Sequence, residues 1–286
     1  MMISLLIVNW NGGDIFKQCI RSIQKNVLQA GIQNYEIIVV DNHSTDLDPG
    51  WLATQQNVHL RRNQNNRQFA AGTNQCVSDA TGDILFFLNN DVILDDNCLS
   101  VLLACLTAMR AHAVVPKLLY PDGGLQYSIR GFPTLLNVFI ASTGLHLFVN
   151  RLDTWLLRSF DYTREQSVDQ PMFSAVLMRR DTWDRVGRMD ERFPLLFNDV
   201  DWFFRFHQQQ LKCVYQPKAE ATHVHGMSVN KQMFRKVMVS VISMVAYFKK
   251  HNDFSWYHGC LLYSVAIFSA VVRLMREGFI FLGIGN

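Results

Sequence analysis

Several features that mark whole classes of protein are missing from this chain of 286 residues. Its six cysteines are scattered, with no C-x-x-C pair and no metal-site spacing, so they predict buried, reduced side chains rather than disulfides or zinc ligands. Charged residues make up only 18% of the chain and hydrophobic residues 49%, which excludes a disordered protein. There is no internal repeat or low-complexity linker. We expect a globular protein with a sizeable core.

The sequence also lacks a recognisable secretion signal. The start, MMISLLIVNW, has no basic region, and its apolar run is too short for a signal peptide. We interpret this stretch as a first buried strand and expect a cytoplasmic protein.

Hydrophobic runs long enough to cross a membrane are absent as well. The apolar segments 233–248 and 259–272 both fall short of the ~20 residues that a spanning helix needs. From residue 231 onward, seven Lys and Arg residues against two acidic residues give a charge of +5, whereas the whole chain carries +3. Residues 1–230 are therefore slightly acidic and have no general attraction for nucleic acid.

The basic, apolar tail predicts a C-terminal region, 231–286, that follows a first domain of residues 1–230. Its helices fit the membrane interface, with basic side chains toward anionic headgroups, which indicates a peripheral protein on the cytoplasmic face of the cell membrane. The alternative is that these helices pack on the body or on a second subunit of a homo-oligomer.

Short apolar strands alternate with helical stretches through the first domain. The predicted strands cover 3–9, 35–40, 58–63, 84–88, 113–120, 172–180 and 212–216. The predicted helices begin at Asp14 and cover 69–80, 99–109, 181–186 and 200–210, with a turn at 121–124, an edge hairpin at 125–132 and irregular helix at 133–164. This alternation is typical of βαβ units and predicts an α/β fold with a mainly parallel sheet.

Polar side chains gather where four of these strands end. They include Asn9, Trp10 and Asn11 after the first strand, 41–46 after the second, 65–74 after the third, and Asn89, Asn90 and Asp91 after the fourth. The carboxyl ends of parallel strands meet at one edge of the sheet, where open α/β sheets bind their ligands. The four clusters together predict one ligand cleft, although a single cluster would indicate only a turn.

The residue types in this cleft indicate a nucleotide and a metal ion. Asp91 is a hard oxygen donor suited to Mg²⁺ or Mn²⁺ carried by a diphosphate, and Trp10 offers a face on which a base can stack. The small residues Ala70, Ala71 and Gly72 let backbone approach a ligand closely. The fingerprint G-x-G-x-x-G is absent after the first strand, which argues against a nucleotide-dependent oxidoreductase.

An ordered set of motifs resembles family 2 glycosyltransferases, which have the GT-A fold. The nucleotide-sugar motifs correspond to VDNHSTD, NNRQFAAGTNQ and LNNDV. The acceptor half corresponds to 174–228, with an apolar strand and R-R, then G-x-x-D-E, D-V-D with a downstream Arg, and H-x-x-G-x-S. The resemblance covers 3–230 and points to the rhamnosyltransferase-like branch that builds cell-surface polysaccharides. It implies a Rossmann-like, mainly parallel sheet with helices on both faces, plus a C-terminal helical extension.

The resemblance also implies roles for individual residues. Asp199 matches the catalytic base, Asp91 matches the metal-binding carboxylate of the D-x-D motif, and His223 matches a histidine that completes the metal and diphosphate site. The substrate-binding residues that it implies are Asn9, Trp10, Asp41, Asn42, Asn66, Gly72, Asn74, Asn89, Asn90, Asp201 and Arg205.

Two residues near the metal and the base depart from the family pattern. Asn198 stands where the family usually has Glu, and Asn89 stands where many members have Asp, so both remove negative charge. Structural roles compete with the functional ones as well. Asp199 could cap the helix that it opens, and Asp201 and Arg205, four residues apart, could form an ion pair instead of contacting substrate.

The predicted function is inverting transfer of a sugar from a nucleotide-diphosphate sugar, such as dTDP-rhamnose or a UDP-sugar. The expected acceptor is a glycan or a lipid-linked molecule in cell-surface polysaccharide synthesis, and Mg²⁺ or Mn²⁺ is the expected cofactor. Because Asn198 adjoins the base, a non-catalytic sugar-nucleotide-binding or scaffold subunit of a polysaccharide assembly complex is the alternative.

Overall fold

A computed structural model of the chain describes residues 1–143, 153–224 and 233–251, together with Gly259 and Ser264. The chain divides into two compact units. The first unit comprises 1–129 and 161–231, and the second comprises 130–160 and 232–286. The predicted division at residue 230 stays a prediction.

Strands and helices alternate along the chain. The strands are β1 (Ile3–Asn9), β2 (Tyr35–Asp41), β3 (Val58–Arg62), β4 (Ile84–Asn89), β5 (Val92–Leu94), β6 (Ala113–Leu119), β7 (Ile129–Arg130), β8 (Gln166–Val168), β9 (Gln170–Pro171), β10 (Ala175–Arg179) and β11 (Cys213–His223). The helices are α1 (Gly13–Gln29), α2 (Pro49–Ala53), α3 (Gln68–Asp79), α4 (Cys98–Ala108), α5 (Leu135–Thr143), α6 (Arg180–Val186), α7 (Asn198–Gln208) and α8 (Met233–His251).

The main sheet runs in the order β3-β2-β1-β4-β10-β6-β11-β5, with β8 paired to β11. The strands β3, β2, β1 and β4 are all parallel to their neighbours. Strand β10 lies antiparallel between β4 and β6, and β6 returns to a parallel pairing with β11. The predicted α/β architecture is confirmed, with β10 inserted against the common direction. This arrangement brings the end of β11 beside β5, directly after β4.

Helices cover both faces of the sheet, as predicted. Side chains alternate along each strand, so a strand that is apolar throughout presents apolar side chains to both faces. On one face, Ile3, Leu5 and Ile7 of β1 join a buried core with the apolar sides of α1 and α4. On the other face, Val8 packs against α3, and the ring of Phe87 in β4 stacks on Trp183 of α6 at 5.0 Å.

The structure differs from the sequence prediction at several elements. Strand β11 extends to His223 instead of ending near Gln216, and α7 begins two residues earlier than predicted, at Asn198. The predicted edge hairpin over 125–132 is present at its start, where Leu119 and Leu125 form an antiparallel bridge, whereas the carbonyl of Ser128 accepts a hydrogen bond from the N–H of Met172. The turn at 121–124 is confirmed by the hydrogen bond from the N–H of Tyr120 to the carbonyl of Gly124.

The second unit contains α5 and α8. In α8, Tyr247 and Phe248 are buried, Ile242 is exposed, and the last turn carries Lys249 and Lys250. Across the part of the chain that the structure describes, every helix is too short or too polar to span a bilayer. The predicted helix over 259–272 lies outside the described residues, apart from Gly259 and Ser264.

Candidate active site

One cleft of about 310 Å³ opens in the first unit at the carboxyl ends of β1 and β4. It collects residues from seven separate parts of the chain. Its lining residues are Val8, Trp10, Asn42, Asn66, Gln68, Phe69, Asn89, Asn90, Asp91, Met172, Phe173, Ser174, Leu195, Leu196, Asn198, Asp199 and His223. The predicted single cleft is confirmed. Trp10 lines this cleft and is 41% exposed, so its ring is accessible to a base.

A hydrogen-bond network lies under the cleft at the ends of β1 and β2. The side-chain amide of Asn9 donates to Oδ1 of Asp41 at 2.9 Å, and Asn90 donates to Oδ1 of Asn9 at 2.8 Å. Gly12 is required here, because a Cβ at this position would lie 2.6 Å from both Asn9 Oδ1 and Asn90 Nδ2. The network fixes the amide of Asn90 at the cleft wall.

Asp41 lies inside this network rather than on the cleft surface. It is fully buried, and its carboxylate accepts hydrogen bonds from Asn9, from the hydroxyl of Ser44 at 2.5 Å and from the N–H of Ser44 at 3.0 Å. Asn9 is buried in the same way. Neither Asp41 nor Asn9 lines the cleft, and both side chains support the residues above them, so their predicted contact with substrate stays a prediction.

Asp91 and His223 form the polar centre of the cleft. Nε2 of His223 lies 3.2 Å from Oδ1 of Asp91, and Nδ1 of the same ring lies 2.8 Å from Oε1 of Gln126. The carbonyl of Asp91 also accepts a hydrogen bond from the N–H of Val224 at 2.9 Å. The antiparallel pairing of β5 with β11 thus brings together two residues that are far apart in sequence.

The donor set at this point fits a divalent ion that arrives with a diphosphate. Gln126 lies beside Nδ1 and the Asp91 carboxylate beside Nε2, and in the tautomer that carries its proton on Nδ1 the lone pair of Nε2 faces that carboxylate. An imidazole nitrogen and a carboxylate oxygen suit Mn²⁺ or Mg²⁺. Among the described residues no three His, Cys, Asp or Glu side chains converge, so diphosphate oxygens and water would complete the coordination.

Cys19 lies near this pair but has a different role. Burial raises the pKa of its thiol well above the usual range, and the charge of Asp91 raises it further. The thiol donates to the carbonyl of Asn89 at 3.6 Å. Cys19 therefore stays protonated and packs under the site as an apolar side chain.

Asp199 faces the cleft from the first turn of α7. Its Oδ1 accepts a hydrogen bond from the N–H of Val200 at 2.8 Å, and its Oδ2 lies 3.5 Å from Nε2 of Gln170. The residue that precedes the helix is Phe197, so Asp199 is not the N-cap residue itself, but its carboxylate does bond a free N–H of the first turn, as the capping alternative predicted. Its carboxylate is held in a defined orientation at the cleft wall.

Two residues predicted to bind substrate have a structural role in α7. Asp201 is fully buried and forms an ion pair with Arg205, whose Nε lies 3.0 Å from Oδ2 of the carboxylate. Arg205 also donates to the carbonyls of Val186 and Arg188 at 2.6 and 2.9 Å. Neither side chain lines the cleft. The ion pair that was the alternative is therefore present, and the contacts of Arg205 tie α7 to the end of α6.

The segment around α3 contains both cleft residues and packing residues. Asn42 and Asn66 line the cleft as predicted, with Asn66 accepting from the N–H of Gln68 at 2.8 Å. Asn74 instead binds the N–H and carbonyl of Met189, and a Cβ on Gly72 would lie 2.7 Å from Val8. Neither residue lines the cleft, and both serve packing between elements, so their predicted substrate contacts stay predictions.

Sequence reasoning missed several cleft residues, most of them apolar. Phe173, Leu195 and Leu196 gave no signal, because apolar side chains in these patterns are typical of a core. Gln68 lies within the predicted cluster 65–74. Its backbone adopts φ 67°, in the left-handed region that favours glycine.

Curated relatives resemble this chain over most of its length. The O-antigen biosynthesis protein RfbC of Myxococcus xanthus is 25% identical over 234 residues, which are 79% of this chain but 17% of RfbC. The N-acetylglucosaminyl-diphospho-decaprenol L-rhamnosyltransferase of Mycobacterium tuberculosis is 26% identical over 216 residues, which are 68% of each protein. This chain therefore spans only a small part of the length of RfbC.

A solved structure shares the fold. The mannosyltransferase PcManGT from Pyrobaculum calidifontis, in complex with GDP-Man and Mn²⁺, matches with a TM-score of 0.58 at 14% identity. The match covers 93% of this chain and 69% of PcManGT. The likeness supports the predicted GT-A fold. The family model described as "Glycosyl transferase family 2" matches residues 4–163, more than half of the sequence. The chain therefore belongs to this family of transferases, in the rhamnosyltransferase-like branch.

Proposed function

We propose that this protein transfers a sugar, with inversion, from a nucleoside-diphosphate sugar to a hydroxyl group of a lipid-linked glycan acceptor. The observation that carries the proposal is that Asp91 and His223 line the same cleft as Asp199. Asp91 and His223, which suit a metal-bound diphosphate, thus share one cleft with the Asp199 carboxylate, which suits a base. This combination is what a single displacement at an anomeric carbon requires.

The donor would occupy the side of the cleft formed by β1, β2 and β4. Trp10 offers an exposed ring for the base, and the amides of Asn42 and Asn90 line the wall. Asp91 and His223 would hold Mn²⁺ or Mg²⁺, which acts as a Lewis acid toward the leaving diphosphate when it is bound. PcManGT, of the same fold, was solved with GDP-Man and Mn²⁺, which supports this choice of ligand.

Asp199 would act as the base. Its carboxylate would take the proton from the acceptor hydroxyl as that oxygen attacks the anomeric carbon from the face opposite the diphosphate. The bonds from Val200 and Gln170 hold both oxygens, so little rotational freedom must be lost in the transition state. One displacement inverts the configuration at the anomeric carbon.

The names of the relatives guide the choice of donor and acceptor. The mycobacterial relative is called an N-acetylglucosaminyl-diphospho-decaprenol L-rhamnosyltransferase, which favours dTDP-rhamnose, ahead of a UDP-sugar, and a polyprenyl-linked acceptor. A membrane-embedded acceptor would require a peripheral protein on the cytoplasmic face. Lys249 and Lys250 at the end of α8 are the described residues suited to anionic headgroups.

A thermal-shift screen tests the proposed donor. Nucleoside diphosphates and their sugars, with and without Mn²⁺, are added to the full chain, since a ligand that binds the native state raises Tm. We expect a shift for a thymidine or uridine diphosphate that is larger with Mn²⁺. No shift with any nucleotide would contradict the proposal.

A non-catalytic sugar-nucleotide-binding subunit is the second candidate. It is favoured by Asn198, which puts an amide directly before Asp199 in the cleft wall. Such a subunit would show the same thermal shift but would release no nucleoside diphosphate in the presence of an acceptor. Turnover measured beside binding separates the two functions.

A further inference from the structure

Asn198 has a hydrogen-bonding capacity that the fold leaves unused. It lines the cleft next to Asp199, and its side chain is 4% exposed. Its amide nitrogen Nδ2 is buried and has no hydrogen-bond partner among the residues that the structure describes. A buried donor left without an acceptor costs free energy, because it loses its bonds to water and gains none.

Other buried asparagines of the first unit do not share this feature. The amide nitrogen of Asn26 donates to the carbonyls of Ser22 and Asp95 at 3.1 and 3.0 Å. That of Asn74 donates to Met189 and Glu191 at 3.0 and 3.1 Å. Both residues hold elements together, whereas Asn198 lines the cleft and its unpaired Nδ2 has almost no exposed surface. The contrast indicates a bond that forms only with a ligand.

We propose that Asn198 determines acceptor specificity: when the acceptor binds, the amide turns toward the cleft and Nδ2 donates a hydrogen bond to an oxygen of the acceptor sugar. The inference rests on the proposed function. It assigns the bond to the acceptor because Asn198 and Asp199 are consecutive residues of α7, and Asp199 must reach the acceptor hydroxyl. The donor diphosphate belongs to the Asp91 and His223 side of the same cleft.

The chemistry of the amide restricts what this position can bind. An N–H group only donates, so its partner must be an accepting oxygen, either a hydroxyl or a carbonyl. Sugars carry oxygen substituents on neighbouring ring carbons. One can therefore be deprotonated by Asp199 while the next accepts from Asn198. An acceptor lacking the second oxygen would leave the amide unpaired, which is how polar sites reject analogues.

The test compares Asn198→Leu with the matched control Asn26→Leu in the full chain. The acceptor probe is N-acetylglucosaminyl diphosphate with a short isoprenoid chain, supplied with dTDP-rhamnose or UDP-sugars and Mn²⁺. Acceptor KM, kcat and Tm are measured for each protein. Asn198→Ser, which keeps a donor, covers the case in which the leucine variant does not fold.

We expect Asn198→Leu to raise acceptor KM by about 3- to 12-fold, the loss of one neutral hydrogen bond, with Tm unchanged or higher. Asn198→Ser should lie between wild type and Asn198→Leu. Asn26→Leu should lower Tm and leave acceptor KM unchanged. An unchanged acceptor KM in Asn198→Leu would overturn this inference but not the proposed function. A lowered Tm with unchanged acceptor KM in Asn198→Ser would do the same. No transfer by the wild-type chain with any of these pairs would overturn the proposed function and the inference with it.

Discussion

Nε2 of His223 lies 3.2 Å from Oδ1 of Asp91, although one residue ends β11 and the other follows β4. The ring is 2% exposed and its other nitrogen contacts Gln126, so its orientation is fixed by the fold. A carboxylate oxygen and a ring nitrogen this close together can both coordinate one divalent ion. The pair is therefore prepared for a cation.

Asp91→Asn keeps the shape of the side chain and removes its charge. We expect the variant to bind nucleoside diphosphate without any gain from Mn²⁺, whereas wild type gains affinity. His223→Ala should show a weaker form of the same defect. Calorimetric titration of UDP and dTDP with and without Mn²⁺ measures this. Asp122→Asn, in the exposed turn after β6, is the control, and an undiminished Mn²⁺ effect in Asp91→Asn would refute the metal site.

Gln126→Leu tests whether the second contact of His223 matters. The ring would lose the oxygen that lies 2.8 Å from its Nδ1 and holds its orientation. Outer contacts of this kind typically change metal affinity by about 10- to 100-fold, so we expect Mn²⁺ affinity in the presence of nucleoside diphosphate to fall by that factor. Equal Mn²⁺ affinity in wild type and variant would show that Gln126 has no part in the site.

Asp199 and Asp201 should separate chemistry from stability. Asp199→Asn should lower kcat by roughly 10²–10⁴-fold while nucleotide binding and Tm stay the same. Asp201→Asn breaks a buried ion pair and should lower the free energy of unfolding by about 3 kcal/mol. Kinetics and urea unfolding on both variants check this, and near wild-type turnover in Asp199→Asn would rule out its role as the base.

Glu36 should make stability depend on pH at the end of the sheet remote from the cleft. Burial raises the pKa of its carboxyl, but hydrogen bonds from Ser4 and Thr81 outweigh this and hold the pKa below its usual 4.5. Since the folded pKa is depressed, this stabilisation is present above pH ~4.5 and is lost as pH falls through the folded pKa.

Glu36→Gln should therefore lower the free energy of unfolding at pH 7 by about 1–3 kcal/mol, the value of hydrogen bonds to a charged group. The difference from wild type should narrow as the pH is lowered below 4.5. Urea unfolding at several pH values measures it. A difference that does not change with pH would show that the carboxylate charge is not responsible.

The sequence predicted those parts of the fold that depend on local pattern. Strands β1, β2 and β4 were recognisable because both of their faces are buried, and the polar residues at their ends predicted the cleft. The direction of β10 was not predictable, because an apolar strand reads the same in either direction. The contact between Asp91 and His223 depends on the pairing of β5 with β11, which no local pattern determines.

The other differences from the sequence prediction concern polar side chains that are buried in the fold and do not line the cleft. Asp41, Asn74 and Asp201 have the residue types of a binding site, but each is satisfied by neighbours within the fold. A sequence shows that a carboxylate or amide is present but not which way it points. Gln126 and Gln170 gave no signal for the same reason, since each acts through a long-range contact with a site residue.

The anomeric configuration of the transferred sugar tests the central claim most directly. Wild-type protein, Mn²⁺, dTDP-rhamnose or a UDP-sugar and the isoprenoid-linked acceptor are incubated, and the product is examined by NMR beside the same reaction with Asp199→Asn. We expect one glycosidic product whose anomeric configuration is opposite to that of the donor, formed by wild type and nearly absent with Asp199→Asn. A product that retains the donor configuration, or equal product from Asp199→Asn, would contradict inverting transfer with Asp199 as the base.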